Sequence, residues 1–305
     1  MKWVEGSLSS VSVQKFGSKV VAVAVLNISW DYSLYYSVGI LDELGKMKWS
    51  LRRSYNTGNH PSVSLVCIED SLYVIEVHKV SDDDICYYTV GRVNVEEKYI
   101  AWSADPVYLG PGKKPKVATT GNGTVMILAE SSSEDYNFEL YIGSLKLENR
   151  KITWKDGNTI VPNFSGVEPD ISINQSKIII VCRDRDNRMV CKVGTHENNV
   201  VTWNSCNTLL PTKHTGRHPS ISLNSEGTVL NAHQKRFTRE LYCCIGKIND
   251  ADNTIIWTEP MYRDTGEYPS VCLMDNNNFY EIHKTNLGTS LFYKQGTILH
   301  SYLRM

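Results

Sequence analysis

The chain carries almost no net charge and contains no long apolar run, and these two absences exclude several classes of protein. Its 32 lysines and arginines nearly balance its 33 aspartates and glutamates, and the basic residues form no cluster. Nucleic-acid binding relies on such a cluster, so we expect no nucleic-acid partner. No apolar segment approaches the roughly 20 residues of a membrane span. The first residues lack the apolar core of a signal peptide, which predicts a cytoplasmic protein, or a secreted one if a leader has been removed.

Motifs of catalysis are also missing. The sequence has no Gly-x-Ser-x-Gly elbow, no His-Glu-x-x-His segment and no phosphate-binding loop. The Ser-x-Asp-x-Gly-x-Thr-Trp box that is typical of sialidase propellers is absent, and no two carboxylates stand out as the pair that a glycosidase needs. We therefore predict that the protein is not an enzyme, with no catalytic residues and no cofactor.

The eight cysteines do not have the spacing of zinc ligands. They fall mostly inside predicted strands, where a free thiol behaves as a small apolar side chain. Cys182 and Cys191 lie on neighbouring predicted strands, so the sequence leaves open whether they form a disulfide. Carboxylates and histidines of the repeats described below have the chemistry of metal ligands, but we predict no metal site.

A segment of about 50 residues occurs six times in the chain, and repeats of this length are typical of propellers and solenoids. The clearest copy contains Gly58-x-x-Pro61, then Glu76-Val77-His78-Lys79, then a strand that ends at Gly91, and finally Ile100-Ala101-Trp102. The other copies keep the same order of landmarks. The tryptophans that mark them are Trp3, Trp49, Trp102, Trp154, Trp203 and Trp257.

Each copy predicts four short strands, because segments rich in Val, Ile, Tyr and Trp alternate with Gly, Asn, Asp and Pro. The last copy has no tryptophan strand, whereas Met1-Lys2-Trp3 supplies an extra one at the N-terminus. Pairing the two would close a ring and cover two strand edges. We predict an all-β fold, a six-bladed β-propeller of four-stranded blades closed by the N-terminal strand. It forms a single domain, 1–305, with blades near 6–50, 58–103, 112–155, 166–204, 216–258 and 266–305 and a closing strand at 1–4.

Polar residues in the second predicted strands are the first candidate site. Glu76 and His78 share one face of their strand because side chains alternate with period two. The pair returns as Glu281 and His283, and blade five has Asn231 and His233 instead. Two interpretations remain open: these side chains bond within the protein as satisfied buried groups, or they line a pocket between blades.

The loops around Gly-x-x-Pro and the tryptophans form the second candidate site. The loops supply His60, His218 and Tyr268. Aromatic rings beside hydrogen-bonding groups suit sugars, whose C–H faces stack on rings and whose hydroxyls need donors and acceptors. The tryptophans are either such platforms or packing residues of the outer strands. The predicted ligand-binding set is completed by third-strand tyrosines and two tryptophans, namely Tyr88, Tyr293, Trp49 and Trp257.

At these residues the chain resembles a known type of propeller repeat. The pattern Tyr-x-x-Gly-x-x-Pro-Ser-Val, Glu-Val-His-Lys and Ile-x-Trp looks like the roughly 50-residue repeats of bacterial and invertebrate propeller proteins. More distantly it is similar to Photorhabdus-type propeller lectins and to the tectonin/tachylectin group. The resemblance covers essentially the whole chain and implies carbohydrate binding without catalysis, in or between blades.

These observations predict a multivalent lectin, because weak sites repeated around a ring gain avidity on dense glycans. The partners that it predicts are glycans or glycoproteins, and further copies of this chain if the protein forms a homo-oligomer. The alternative is a protein-interaction scaffold that uses one rim of the propeller. A hydrolase with its site in the central channel is less well supported, because the innermost strands are poor in carboxylates and histidines.

Overall fold

The protein is all-β in the part of the chain that the computed structural model describes, which comprises residues 2–5, 8–27, 32–80, 83–133, 135–155, 157–211, 215–285 and 290–299. Its strands are numbered β1 to β28, and they form six antiparallel sheets around a central axis. The prediction of a six-bladed β-propeller is confirmed. No helix within these ranges is long and apolar enough to cross a membrane.

The first three blades each have five strands. Blade one contains β2 (Leu8–Phe16), β3 (Lys19–Asn27), β4 (Ser33–Leu41), β5 (Met47–Trp49) and β6 (Arg53–Thr57). Blade two contains β7 (Asn59–Ile68), β8 (Ser71–Lys79), β9 (Ile85–Asn94), β10 (Tyr99–Trp102) and β11 (Val107–Pro111). Blade three contains β12 (Lys113–Thr119), β13 (Thr124–Glu130), β14 (Asn137–Lys146), β15 (Lys151–Trp154) and β16 (Thr159–Ser165).

The other three blades have four or five strands. Blade four contains β17 (Val167–Ile173), β18 (Lys177–Arg183), β19 (Met189–Glu197) and β20 (Val200–Leu209). Blade five contains β21 (Gly216–Leu223), β22 (Thr228–Lys235), β23 (Glu240–Asn249), β24 (Thr254–Trp257) and β25 (Met261–Thr265). Blade six contains β26 (Glu267–Leu273), β27 (Asn278–Lys284), β28 (Ser290–Thr297) and, from the other end of the chain, β1 (Lys2–Glu5).

The ring closes as the sequence predicts. Strand β1 pairs antiparallel with β28, with Lys2 opposite Phe292 and Glu5 opposite Ser290. The two ends of the chain therefore share one sheet, and the outer edge of β28 is covered.

Four blades contain a fifth strand that the sequence did not predict. β6, β11, β16 and β25 each pair with the third strand of their blade, beyond the end of the short fourth strand. They occupy segments that the sequence assigned to connections between blades. In blade four, β20 extends to Leu209, so a single strand takes the place of the fourth and fifth strands of the other blades.

The core lies between the blades. Six clusters of buried apolar residues each join two neighbouring blades, so each sheet is covered on both faces. This explains the continuous apolar run in β3, where Val21 to Leu26 are all buried. Such a strand cannot alternate apolar and polar residues, because neither face meets water.

Glycine and tryptophan of five repeats are cross-strand partners. In the register of the third and fourth strands, Gly91 faces Trp102, and the same pairing recurs as Gly39–Trp49, Gly143–Trp154, Gly194–Trp203 and Gly246–Trp257. A Cβ added at Gly91 would approach Trp102 to 2.9 Å. The indole therefore lies on the backbone of the third strand, and only glycine leaves room for it.

All eight cysteines are free thiols. Cys182 packs in the cluster between blades three and four, whereas Cys191 packs in the cluster between blades four and five. The two side chains thus point to opposite faces of their sheet, and the disulfide that the sequence left open does not form.

Candidate functional site

The Gly-x-x-Pro segments build an irregularity into the innermost strands. In blade two, Asn59 pairs with Lys79 but Ser62 pairs with Val77, so β7 has one extra residue at this point. The same shift occurs in blades three, four, five and six. Blade one, which has no Gly-x-x-Pro, pairs regularly from Leu8 onward. A β-bulge of this kind turns a side chain away from the sheet.

The residue before each of these prolines has a left-handed backbone. His60 has φ 52° and His218 has φ 50°, and the equivalent residues are Lys114, Glu168 and Tyr268. This conformation costs a residue other than glycine or asparagine on the order of 1–2 kcal/mol. The same strained geometry in five blades indicates that the direction of these five side chains matters.

All five side chains meet in one cavity, which we call the axial cavity. Its volume is about 400 Å³, and it lies at the end of the innermost strands where the bulges occur. Besides the five residues before the prolines, its wall includes Ser9, Asn27, Asn59, Lys116, Lys284 and the prolines of four blades. The wall thus offers amide, imidazole, phenol and ammonium groups. A second space of about 710 Å³, the central channel, continues along the innermost strands and shares Lys116 with the axial cavity.

Glu168 is the acidic residue of the axial cavity wall in the part of the chain that the structure describes. Arg183 donates to both of its carboxylate oxygens, at 3.2 and 3.3 Å, and the His218 N–H donates at 2.8 Å. Burial alone would raise the pKa of Glu168, but His218 and Arg183 outweigh it and hold the pKa below its ordinary value. Glu168 is therefore ionised and compensated.

Both histidines of the axial cavity are neutral at pH 7. Burial, together with the charges of Lys114 and Lys116, lowers the pKa of His60 to about 4. Burial also lowers the pKa of His218 to about 4, although Glu168 opposes the shift. A neutral imidazole both donates and accepts a hydrogen bond, which a charged one does not. The ring of His218 also contacts the ring of Tyr268, with centroids 4.2 Å apart.

The Glu/His pairs of the second strands lie elsewhere, inside the blade interfaces. His78 and Glu76 are buried, and His78 Nδ1 lies 3.0 Å from Glu76 Oε2. The other two pairs repeat this contact, His283 Nδ1 to Glu281 Oε1 at 3.1 Å and His233 Nδ1 to Asn231 Oδ1 at 2.9 Å.

The Nε2 atoms of two of these histidines contact the preceding blade. His78 Nε2 lies 3.3 Å from Asn56 of β6, and His283 Nε2 lies 3.4 Å from Asp264 of β25. Burial raises the pKa of Tyr55, and the charge of Glu76 raises it further, so these two groups also face each other across the interface. The arrangement favours the structural interpretation of the pairs, while their predicted role in ligand binding stays a prediction.

Blades three and four lack the pair, and the residue one place further along the second strand makes other contacts there. In blade three, Glu130 accepts from Lys114 Nζ at 3.1 Å and from the Glu168 N–H at 2.5 Å. In blade four, Arg183 binds Glu168. Glu130 and Arg183 therefore support the wall of the axial cavity from behind.

The remaining predicted residues are packing residues in this structure. Tyr88 is buried and lies edge-on to Trp154. Tyr293 stacks on Tyr280, and Trp49 contacts Tyr293 edge-on. A Cβ added at Gly246 would approach the indole of Trp257 to 2.7 Å, so this ring lies on the third strand of its own blade. The platform role of the two tryptophans stays a prediction.

The structure thus brings together His60, His218 and Tyr268 from the predicted set, and it adds Lys114, Lys116 and Glu168. Lys114 and Glu168 could have been found from the sequence, since they occupy the position of His60 in their repeats. Lys116 had no such signal. His214, which the loop pattern also contains, lies outside the described residues. No group of three or more His, Cys, Asp or Glu side chains arranged to hold a metal ion occurs within the described ranges.

No family model matches the sequence, and no curated protein matches it. Several solved structures share the fold. The fucose-specific lectin from Aleuria aurantia has a TM-score of 0.64 at 10% identity, covering 97% of this chain and 96% of that chain. A second structure of that lectin, described as a six-bladed β-propeller with a novel fucose recognition mode, has a TM-score of 0.66 at 12% identity, covering 95% and 91%. The NanB sialidase from Streptococcus pneumoniae has a TM-score of 0.64 at 9% identity, covering 95% of this chain and 68% of that chain. At these identities the likeness establishes the fold alone.

Proposed function

We propose that the protein binds carbohydrate, without catalysis, and that the axial cavity is its principal site. The observation that carries the proposal is the convergence of five equivalent residues, each held in a strained backbone conformation, on one cavity of about 400 Å³. A cavity of this size accommodates a monosaccharide or a disaccharide, since small-molecule sites begin near 300 Å³.

The chemistry of the wall suits a sugar. Tyr268 and His218 form an aromatic corner, and Asn27 and Asn59 supply amide groups at the rim. Asn27 Nδ2 already donates to Asn59 Oδ1 at 2.7 Å, which fixes the orientation of both amides. Hydroxyl groups need paired donors and acceptors, and a neutral imidazole offers one of each. Fucose-binding lectins with the same architecture support this proposal at the level of the fold.

Sialidases share the architecture too, so the fold does not decide between binding and hydrolysis. The geometry of the axial cavity favours binding. Glycoside hydrolysis uses two carboxyl groups, one of which must carry a proton. Glu168 is held ionised by Arg183, and Asp170 on the channel side accepts from the Ile221 N–H at 2.8 Å. Burial raises the pKa of Asp170, but Asp170 does not line the axial cavity, and Glu168 has no proton to give. We therefore propose that the protein is not an enzyme.

The finer proposal of multivalent binding depends on the blade residues Glu76, His78, Asn231, His233, Glu281 and His283. Additional weak sites between blades would give avidity on dense glycans. The axial cavity alone gives one site per molecule, so the measured stoichiometry separates the two cases.

A glycan array with labelled protein tests the function, followed by titration of the best ligand into variants. Tyr268→Ala should weaken binding at least tenfold, because it removes part of the aromatic corner. Tyr262→Ala is the matched control, since Tyr262 lies in the preceding blade, is 55% exposed and does not line the axial cavity. If folded protein binds no glycan on the array, the proposal is overturned and the scaffold alternative is favoured. If both variants bind the ligand equally well, the binding site does not lie in the axial cavity.

A further inference from the structure

A belt of hydrogen bonds joins the innermost strands around the axis. Each bond runs from a backbone N–H in one blade to a side chain of the preceding blade. Val63 donates to Ser10 at 3.2 Å and Val117 to Ser62 at 3.1 Å. The belt continues with Ile221 to Asp170, Val271 to Ser220 and, across the ring closure, Val11 to Ser270.

This belt explains the Pro-Ser-Val-Ser pattern of the repeat. The serine after the proline accepts a hydrogen bond from a backbone N–H of the next blade, a bond that neither sheet can supply. The second serine, two residues later, makes the same kind of contact. Leu65 donates to Ser12 at 3.0 Å, Leu223 to Ser172 at 2.9 Å and Leu273 to Ser222 at 2.8 Å. Serines of the innermost strands thus fasten neighbouring blades together.

The belt is broken at one place. The position of the belt serine in blade three is Lys116, and no bond joins Ile171 of blade four to it among the described residues. A lysine side chain accepts no hydrogen bond. In blade four the same position is Asp170, which keeps the bond because its carboxylate accepts. The Ile171 N–H donates to the Asp170 carboxylate instead. Lys116 is therefore a departure from the serine pattern of the belt, and such departures are expected at functional positions.

The ammonium of Lys116 makes no hydrogen bond or ion pair with the residues that the structure describes. It lies where the axial cavity meets the central channel, since it lines both. Burial lowers the pKa values of His60 and His218, and the charge of Lys116 contributes to both shifts. Burial raises the pKa of Asp170, and Lys116 opposes that rise, so the two groups face each other on the channel side. Lys116 is thus a cation between the central channel and the axial cavity, and Asp170 does not line the axial cavity.

The other charges of the axial cavity are compensated within the protein. Lys114 pairs with Glu130 at 3.1 Å, and Lys284 pairs with Glu267 at 3.5 Å. Glu168 pairs with Arg183 at 3.2 Å. The two histidines are neutral. Lys116 therefore leaves the axial cavity with an excess of positive charge.

We propose that the axial cavity selects saccharides that carry an anionic substituent, a carboxylate or a sulfate, and that Lys116 binds this substituent. This inference rests on the proposed function. An ammonium is a compact charge with three donors and suits the oxygens of either anion. Partial burial in a narrow cavity strengthens the attraction relative to bulk water. Neutral His60, which makes no hydrogen bond among the described residues, is available to the sugar hydroxyls.

The test compares Lys116→Ser with Lys146→Ser. Both remove one positive charge from blade three, but Lys146 is an exposed residue of β14 outside the axial cavity. Lys116→Ser also restores the serine of the belt, so the variant should fold at least as stably as the parent protein. The probes are glucuronic acid, galactose 6-sulfate, glucose, galactose and inorganic sulfate, titrated by calorimetry at two salt concentrations. Lys116→Arg keeps the charge and serves as the conservative variant.

We expect the parent protein to prefer an acidic probe over its neutral counterpart by at least tenfold, and the preference to weaken with salt. Lys116→Ser should lose the preference, whereas Lys146→Ser and Lys116→Arg keep it. Preference for the glucuronic acid or for the sulfated sugar identifies the anion. Equal binding of the acidic and the neutral sugars by the parent protein would overturn this inference and leave carbohydrate binding intact. Binding of inorganic sulfate alone, lost in Lys116→Ser, would support the anion site and overturn the carbohydrate function. No binding of any probe would overturn both.

Discussion

At the scale of single residues, five residues with a strained backbone converge on the axial cavity. The residue before proline adopts a left-handed backbone in five blades, and His60, Lys114 and Tyr268 are not residues that favour it. Left-handed residues also occur in turns that lead into the tryptophan strands, such as Lys98 and Arg150. What distinguishes the five residues before the prolines is that they all line one cavity.

The two cavity histidines should make the stability of the protein depend on pH. Their folded pKa of about 4 is below the unfolded value of 6.5, so the unfolded state takes up protons first as the pH falls. Stability should be full above pH 6.5 and should decrease between pH 6.5 and pH 4, by on the order of 2 kcal/mol per histidine. His60→Asn/His218→Asn should flatten this part of the profile, because asparagine tolerates the left-handed backbone and does not titrate. Urea unfolding of both proteins at pH 7 and pH 4.5 measures the difference, and identical pH slopes would contradict the neutral assignment.

At the scale of elements, the third-strand glycine is a packing requirement. A Cβ at Gly91 would overlap Ile100 and approach Trp102 to 2.9 Å. Gly91→Ala should therefore cost about 1–3 kcal/mol, the usual penalty of overpacking. Gly121→Ala is the matched control, since a Cβ there meets nothing within 4 Å. Chemical denaturation compares the two. A Gly91→Ala protein as stable as the control would show that the indole moves aside without cost.

The serine belt predicts an effect of comparable size. Ser62→Ala leaves the Val117 N–H without its acceptor, which should lower the free energy of unfolding by about 1–3 kcal/mol. Ser205→Ala, at an exposed position of β20, should change it by less than about 0.5 kcal/mol. Thermal unfolding of the two variants tests this ranking, and equal stabilities would contradict the stabilising role of the serine belt.

The sequence predicted the elements that depend on local patterns and missed those that depend on the ring. The Gly–Trp landmarks located the third and fourth strands, and the fourth strand of blade two begins and ends as predicted, at Tyr99 and Trp102. The fifth strands escaped because they lack an apolar alternation, as in Arg53–Thr57, and exist only by pairing beyond a short neighbour. The axial cavity escaped because its residues are about 50 positions apart and meet only after the ring has closed.

At the scale of the whole molecule, closure joins the two ends of the chain. Removing residues 1–5 should uncover the edge of β28, lower the melting temperature and promote association through the free edge. The effect is measured by thermal unfolding and by size-exclusion chromatography over a range of concentrations. The control keeps the strand and replaces only Lys2 by Thr. A shortened chain that melts like the parent and stays at one size would contradict the role of β1.

The central claim, that the axial cavity is where this propeller binds carbohydrate, is tested most directly by a crystal structure of the protein with the saccharide that binds it best. The account predicts density for the sugar at the axis, in contact with Tyr268 and His218, with any anionic substituent at the Lys116 ammonium. Density between two blades with the axial cavity occupied only by water would contradict it.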